Sequence, residues 1–265
     1  MILKQINQKM NDRPKVIVSL TSFPAAIPYA VQAIRSVLEG SLLPDKLVLY
    51  LDTDKFPGEV LPPELEALKA ESSIFEVRFD PAEIRSYKKL IPALRDFPND
   101  IIVTIDDDIL YHADLLHDLV VMHKRVPDAI VAHRVRKARL NVPYRKWRKY
   151  HWYDFVFKKI HRTHLAMQTG VGGVLYPPHS LDEKMLDPSL FMELAPTVDD
   201  VWFWLAAVSR GTYVVPLPNG KRKPLEIGKP GEISLKTVNT NPADDRNRKA
   251  LDRILEHYPE IKQKL

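Results

Sequence analysis

Apolar residues in the first half of the chain follow two alternating periods. Segments 15–20, 46–51, 74–79 and 101–105 are short apolar runs rich in Val, Ile and Leu, which is the pattern of strands buried in a core. Between them, apolar residues recur three and four apart. In 27–38 these are Ile27, Ala30, Val31, Ile34, Val37 and Leu38, one face of an amphipathic helix. Segment 63–70 reads as a helix with an early proline. Segment 86–94 has helical spacing disturbed by Pro92. A helix over 112–124 and a fifth strand over 129–132 complete this half. Strands alternating with helices predict an α/β fold with a mostly parallel central sheet flanked by helices. The second half is more elaborate: strands at 174–176 and 213–216, helices at 201–207 and 244–257, and a basic loop over 219–230. No internal repeat or low-complexity linker divides the chain, so one domain over 1–265 is the economical reading.

Composition narrows the class. Of 265 residues 45% are hydrophobic and 28% charged, which suits a globular protein and argues against wholesale disorder. No apolar stretch approaches the roughly 20 residues that cross a bilayer, and the first residues lack an apolar leader core. The absence of cysteine removes disulfides, thiolate metal sites and thiol nucleophiles. These features lead us to expect a soluble cytoplasmic protein. The net charge of +5 is unevenly spread. Segment 134–164 holds eleven Lys and Arg against one acid, Asp154, interleaved with Tyr144, Trp147, Tyr150, Trp152, Tyr153, Phe155 and Phe157. Such an insert suits an anionic membrane surface, a lid over a diphosphate, or single-stranded nucleic acid.

The sharpest chemical signal is Asp106-Asp107-Asp108, which follows the apolar run 101–105. Three like charges at a strand's exit call for a cation, and oxygen ligands suit a divalent one. Alternate residues of an extended segment point the same way, so Asp106 and Asp108 can converge while Asp107 points elsewhere. A second pair, Asp199-Asp200, begins a helix beside Trp202, where a carboxylate can serve as a general base or simply as a cap. Gly170, Gly172 and Gly173 allow close approach of backbone to a ligand, or a tight turn. Thr21 and Ser22 end the first strand, Asp52 ends the second, and Lys88 and Lys89 precede the acidic strand. All fall where an open α/β sheet receives a nucleotide. No His-Glu-x-x-His or Gly-x-Ser-x-Gly arrangement supports zinc or serine hydrolysis.

Taken in order, Val18-Ser19-Leu20-Thr21-Ser22, Tyr87-Lys88-Lys89-Leu90-Ile91-Pro92, Thr104-Ile105-Asp106-Asp107-Asp108, the glycine segment at 170–178 and Asp199-Asp200-Val201-Trp202 resemble bacterial family-2-like glycosyltransferases of the GT-A fold. Members of this kind build cell-surface polysaccharides. The resemblance spans roughly 15–258. It implies a nucleotide-sugar-binding half at about 15–133 and an acceptor-binding half, with the catalytic base, at about 134–265. Asp106 would face the donor ribose or share the metal, and Asp108 would ligate Mn²⁺ or Mg²⁺. Thr21, Ser22, Asp52, Lys88, Lys89 and Asp107 would line the nucleotide pocket. Gly172 and Gly173 would sit against donor sugar or acceptor. Asp200 would be the base, with Asp199 as the alternative. A late metal ligand is sought among Asn241, Asp245 and His257. The implied reaction transfers a sugar, with inversion, from a nucleoside-diphosphate donor (a UDP-sugar favoured) to a glycan or lipid-linked hydroxyl. Peripheral contact with the inner membrane face would run through 134–164.

There are two rivals, one another enzyme and one from a different class. A haloacid-dehalogenase-like phosphatase also places Asp-x-Asp after a strand, but there the strand is near the N-terminus, and Leu110 occupies the position four after Asp106. A nucleic-acid-binding protein would use the basic insert, with salt-sensitive affinity. The paired acidic sites oppose that reading, and nucleic acid is not an expected partner.

Overall fold

The computed structural model describes residues 13–155, 162–218, 224–227 and 244–265. The chain begins with β1 (Val16–Thr21), α1 (Ile27–Leu38), β2 (Lys46–Asp52), α2 (Pro63–Glu71) and β3 (Phe75–Asp80). A 3-10 turn (Arg85–Lys89) leads to α3 (Ile91–Asp96), β4 (Ile101–Thr104), β5 (Ile109–Leu110), α4 (Leu115–Arg125) and β6 (Ile130–Ala132). Then come β7 (Val135–Lys137), β8 (Ala166–Gln168), β9 (Val174–Tyr176), α5 (Pro188–Leu194) and α6 (Asp199–Arg210). The chain closes with β10 (Val214–Pro216), β11 (Leu225–Glu226), α7 (Arg246–His257) and α8 (Pro259–Lys264).

Seven strands form the central sheet in the order β10-β6-β9-β4-β1-β2-β3. Pairings β1–β2, β1–β4, β2–β3 and β6–β10 are parallel, whereas β9 runs antiparallel to both β4 and β6. The expected α/β class and mostly parallel sheet are therefore observed. The chain steps outward from β1 to β2 and β3, then returns to lay β4 on the other side of β1. This reversal is a topological switch point, and open α/β sheets receive ligands outside the carboxyl ends of the strands there. Because β9 is reversed, its first residue, Val174, lies opposite Thr104 and Ala132, the last residues of β4 and β6. The glycine segment before β9 thus joins the same sheet edge as the aspartate triplet.

Both faces of the sheet are covered. On β1, Ile17 faces one layer, while Val18 and Leu20 face the other. The first layer holds Tyr87, Phe191, Trp202, Trp204 and Ile254; the second holds Ile34, Leu49, Leu116 and Leu119. Between its polar ends helix α6 is apolar on every side, Val201 to Val208 being buried deep in the first layer. Its indole donors find carbonyls: Trp202 Nε1 donates to Met185 O at 2.7 Å and Trp204 Nε1 to His164 O at 2.8 Å. Gly211, at φ +88, ends the helix in the left-handed region that favours glycine.

The structure departs from the sequence reading in a few places. Segment 86–94 is not one helix but a 3-10 turn and a short helix that meet at Leu90. Pro92 has no N–H to give to the Lys88 carbonyl, so a continuous helix would lack that bond. The helix expected around 201–207 runs from Asp199 to Arg210 and has the acidic pair in its first turn, where the pair was expected. The basic insert is partly core: Trp147 is buried, packs edge-on against Trp204 with ring centroids 5.8 Å apart, and donates from Nε1 to Arg139 O at 2.9 Å. Its residues 156–161 lie outside the described residues, as do 219–223 and 228–230 of the expected basic loop. Among the described residues no helix is long and apolar enough to cross a membrane.

Candidate functional site

The acidic triplet lies beyond the end of β4, with Asp107 and Asp108 in the turn before β5. Asp107 is buried, and its Oδ2 accepts a 2.6 Å hydrogen bond from Ser22 Oγ, tying the ends of β4 and β1 together. Asp106 and Asp108 keep partial exposure. The Asp106 N–H donates to the hydroxyl of buried Tyr111 at 2.8 Å. The Asp108 carbonyl accepts from Ile227 N at 2.8 Å, next to the β5–β11 pairing. The triplet is thus held by both β1 and a segment from the late part of the chain.

Lys89 joins the two acidic clusters. Its ammonium donates to Asp106 Oδ1 at 2.9 Å and lies 3.0 Å from Asp199 Oδ2, a contact of charge rather than of hydrogen-bond geometry. The Lys89 carbonyl accepts from Ser19 Oγ at 2.7 Å, which pins the 3-10 turn to β1. Burial alone would lower the Lys89 pKa, but Asp106, Asp199 and Asp200 together hold it well above the ordinary lysine value. Asp200 Oδ1 accepts from Gly170 N at 3.0 Å. Burial and the neighbouring charge of Asp199 push the Asp200 carboxyl up to about 7, against the opposing pull of Lys89. Three carboxylates around one ammonium cannot all ionise cheaply, so one of them keeps its proton near neutral pH. Such a group can take or give a proton under physiological conditions.

Gly170 is the close-approach position. A Cβ there would lie 2.7 Å from Lys89 Nζ and 3.0 Å from Asp106 Oδ1. Gly172 is confined by the His133 side chain, 2.9 Å from its would-be Cβ, and Gly173 adopts φ +84 against Leu115. These two glycines shape the turn into β9.

Other expected residues are placed nearby but not at the same point. The Lys88 side chain is 2% exposed; its ammonium donates to Asp80 O at 2.8 Å and lies 3.4 Å from Asp52 Oδ2. Lys88 and Lys89 therefore serve different carboxylates. Burial would raise the Asp52 pKa, yet hydrogen bonding with Glu83 and the charge of Lys88 hold it below the ordinary aspartate value. Thr21 Oγ1 donates to Tyr50 O at 2.8 Å at the end of β1. Of the late candidates, Asp245 spends both oxygens on backbone N–H groups, from Arg248 at 3.1 Å and Tyr144 at 3.0 Å. His257 is exposed at the far end of α7, and Asn241 lies outside the described residues. Among the described residues, no three His, Cys, Asp or Glu side chains gather to hold a metal ion by themselves.

Sequence reasoning identified both aspartate clusters and Lys89 but not the bridge between them. It missed Tyr111 under the triplet and the particular need for Gly170. The Gly170 signal was visible as the first glycine of the 170–173 cluster; Tyr111 had no signal beyond its nearness to the triplet. The chain matches no protein-family model and no curated protein.

Proposed function

We propose that this protein is a GT-A-type glycosyltransferase that moves a sugar, with inversion, from a nucleoside-diphosphate donor to an acceptor hydroxyl in surface polysaccharide or glycolipid synthesis. The observation that carries this reading is the junction of Asp106, Lys89, Asp199 and Asp200 at the β1/β4 switch point, with the Asp200 carboxyl at about 7. A nucleotide's place is beside the ends of β1, β2 and β4, near Thr21, Ser22 and Asp52.

The residues fit a divalent cation of the Mn²⁺ or Mg²⁺ kind. Asp106 and Asp108 are hard oxygen donors, both partly exposed, while Asp107 is turned inward to Ser22. Such ions are often bound by one or two carboxylates together with substrate phosphates, which is the donor set on offer here. When bound, the ion supplies charge compensation for a departing diphosphate.

The chain's own groups account for the rest. Asp200, held by the Gly170 N–H, takes the proton of the acceptor hydroxyl and thereby makes it a nucleophile. One base on the face opposite the leaving group suffices for inversion. Lys89 lies against Asp106 and Asp199, while burial and Asp199 push the Asp200 carboxyl up to about 7, so charge-pairing and proton-transfer roles fall on different carboxylates. The exposed Arg145, Lys146, Arg148 and Lys149 suit a cytoplasmic enzyme that rests on an anionic membrane face.

A thermal-shift screen of nucleotide sugars with and without Mn²⁺ tests the reading. A metal-dependent rise in melting temperature with UDP-sugars is expected, because ligands of the native state stabilise it. No shift with any nucleotide sugar would overturn it. The anomeric configuration of the product, by NMR, tests inversion.

A further inference from the structure

Two arginines at the strand that holds the Thr169–Gly170 turn have no part in the scheme above. Arg134 directly precedes β7 and Arg136 lies at its centre, so their side chains leave on one face while Val135 between them is buried. The Arg134 carbonyl accepts from Thr169 N at 3.0 Å and from Thr169 Oγ1 at 3.2 Å. Thr169 precedes Gly170, whose N–H holds Asp200. The Arg136 guanidinium lies 4.6 Å above the Tyr144 ring and donates from Nη1 to Trp147 O at 2.9 Å. Burial raises the Tyr144 pKa, Arg136 and Arg134 oppose this, and Asp200 adds to it, so the phenol senses both arginines and the base.

The two arginines differ from their neighbours in the insert. Lys137 pairs with Asp154 at 2.6 Å, and Arg162 with Asp128 at 2.7 Å. Arg134 and Arg136 form no ion pair with the described residues, and the Nε–H groups of both are shielded from solvent yet donate no hydrogen bond. Both residues stay partly exposed, and a shielded N–H without an acceptor costs free energy that an incoming anion would recover. The planar donor fork of arginine matches phosphate and carboxylate.

We infer that Arg134 and Arg136 clamp an oxyanion carried by the acceptor, phosphate or carboxylate, and so hold its hydroxyl beside Asp200. The clamp also solves a charge problem. An anionic acceptor approaching Asp199 and Asp200 is repelled, and two guanidiniums offset that repulsion. The word acceptor rests on the glycosyltransferase reading; the oxyanion site does not.

The experiment measures binding of glucose 1-phosphate, glucuronate and methyl glucoside to the full-length protein by saturation-transfer NMR and calorimetry. Wild type is compared with Arg134→Gln and Arg136→Lys. Arg134→Gln removes no side-chain bond seen in the structure, and Arg136→Lys keeps the charge over Tyr144 while losing the fork, so both are expected to fold. Selective binding of the phosphate, the carboxylate or both, weakened about tenfold or more in Arg134→Gln, is expected. Which of the two binds identifies the source of the oxyanion. Equal binding of methyl glucoside, or anion binding unchanged in both variants, would overturn the clamp. Thermal shift with UDP-sugar and Mn²⁺ in the same variants is expected to match wild type. If wild type shows no such shift but retains Arg134-dependent anion binding, the glycosyltransferase reading falls and the oxyanion site stands.

Discussion

Lys89 Nζ stands 2.9 Å from Asp106 Oδ1, and this single contact joins the turn after β3 to the exit of β4. The same ammonium reaches Asp199 at the start of α6. Removing it leaves three carboxylates close together in a mostly buried site. Lys89→Met is expected to cost about 3–5 kcal/mol at pH 8, as breaking a buried ion pair does, and less at pH 5, where Asp200 is protonated. Urea unfolding at the two pH values checks both the size and the difference.

Asp200 gives a pH dependence whose sign follows from its raised pKa. The folded state keeps a proton up to about pH 7, whereas the unfolded chain releases it near pH 4. The folded state therefore binds more protons across that window, and this group's contribution to stability falls as pH rises from about 4 to 7. Asp200→Asn abolishes the penalty. Its expected effect is a gain of about 1–3 kcal/mol at pH 8 and little change at pH 4, read from unfolding curves. Transfer activity is expected to drop at least about a hundredfold in the same variant, and the wild-type rate should decline below an apparent pKa of about 7.

The roles assigned within the triplet are separable. Asp108→Ala is expected to remove the Mn²⁺-dependent part of UDP binding with little loss of stability. Asp107→Asn disturbs the Ser22 bond and is expected to cost about 1–2 kcal/mol, while part of the metal response remains. Thermal shift with UDP, with and without Mn²⁺, distinguishes the two.

Glycine substitutions tell site from scaffold. Gly170→Ala places a methyl group 2.7 Å from Lys89 Nζ and is expected to displace that ammonium, lowering both activity and stability. Gly211→Ala meets no atom within 4 Å but must adopt φ +88. It is expected to cost about 1 kcal/mol with normal activity, measured by unfolding and turnover together.

The strands and the first helix were legible because their apolar periodicity is strong and local. Segment 27–38 is helical throughout, and 174–176 is a strand. Asp107 was expected to point away from Asp106 and Asp108 on an extended segment; the structure buries it against Ser22 from within a turn instead. What the sequence could not show was set by tertiary contact. Lys88 and Lys89 are adjacent and alike on paper, yet their ammonium groups diverge to Asp52 and Asp106, because neighbouring residues of the 3-10 turn leave it about 120° apart. Asp245 looked like a possible metal ligand, but it caps α7 and anchors Tyr144 across 101 positions of sequence. The division of the 86–94 helix was foreshadowed by Pro92; the pairing of β11 with β5 had no local signal.

The reversed strand β9 sets an order of assembly. The quartet β1 to β4 needs only the first 104 residues and its nearest pairings, so it can form early during synthesis. Thr104 and Val174 must then find each other across the intervening elements β5 to β8, and pairing at such sequence separation is slow. Gly170 arrives with β9 and Asp200 later still, so a nascent chain emerging from the ribosome carries the acidic turn before it carries Asp200. On the proposed reading, the acidic turn gains Asp200 only after β9 and α6 have docked, so a half-made polypeptide is expected to be inert.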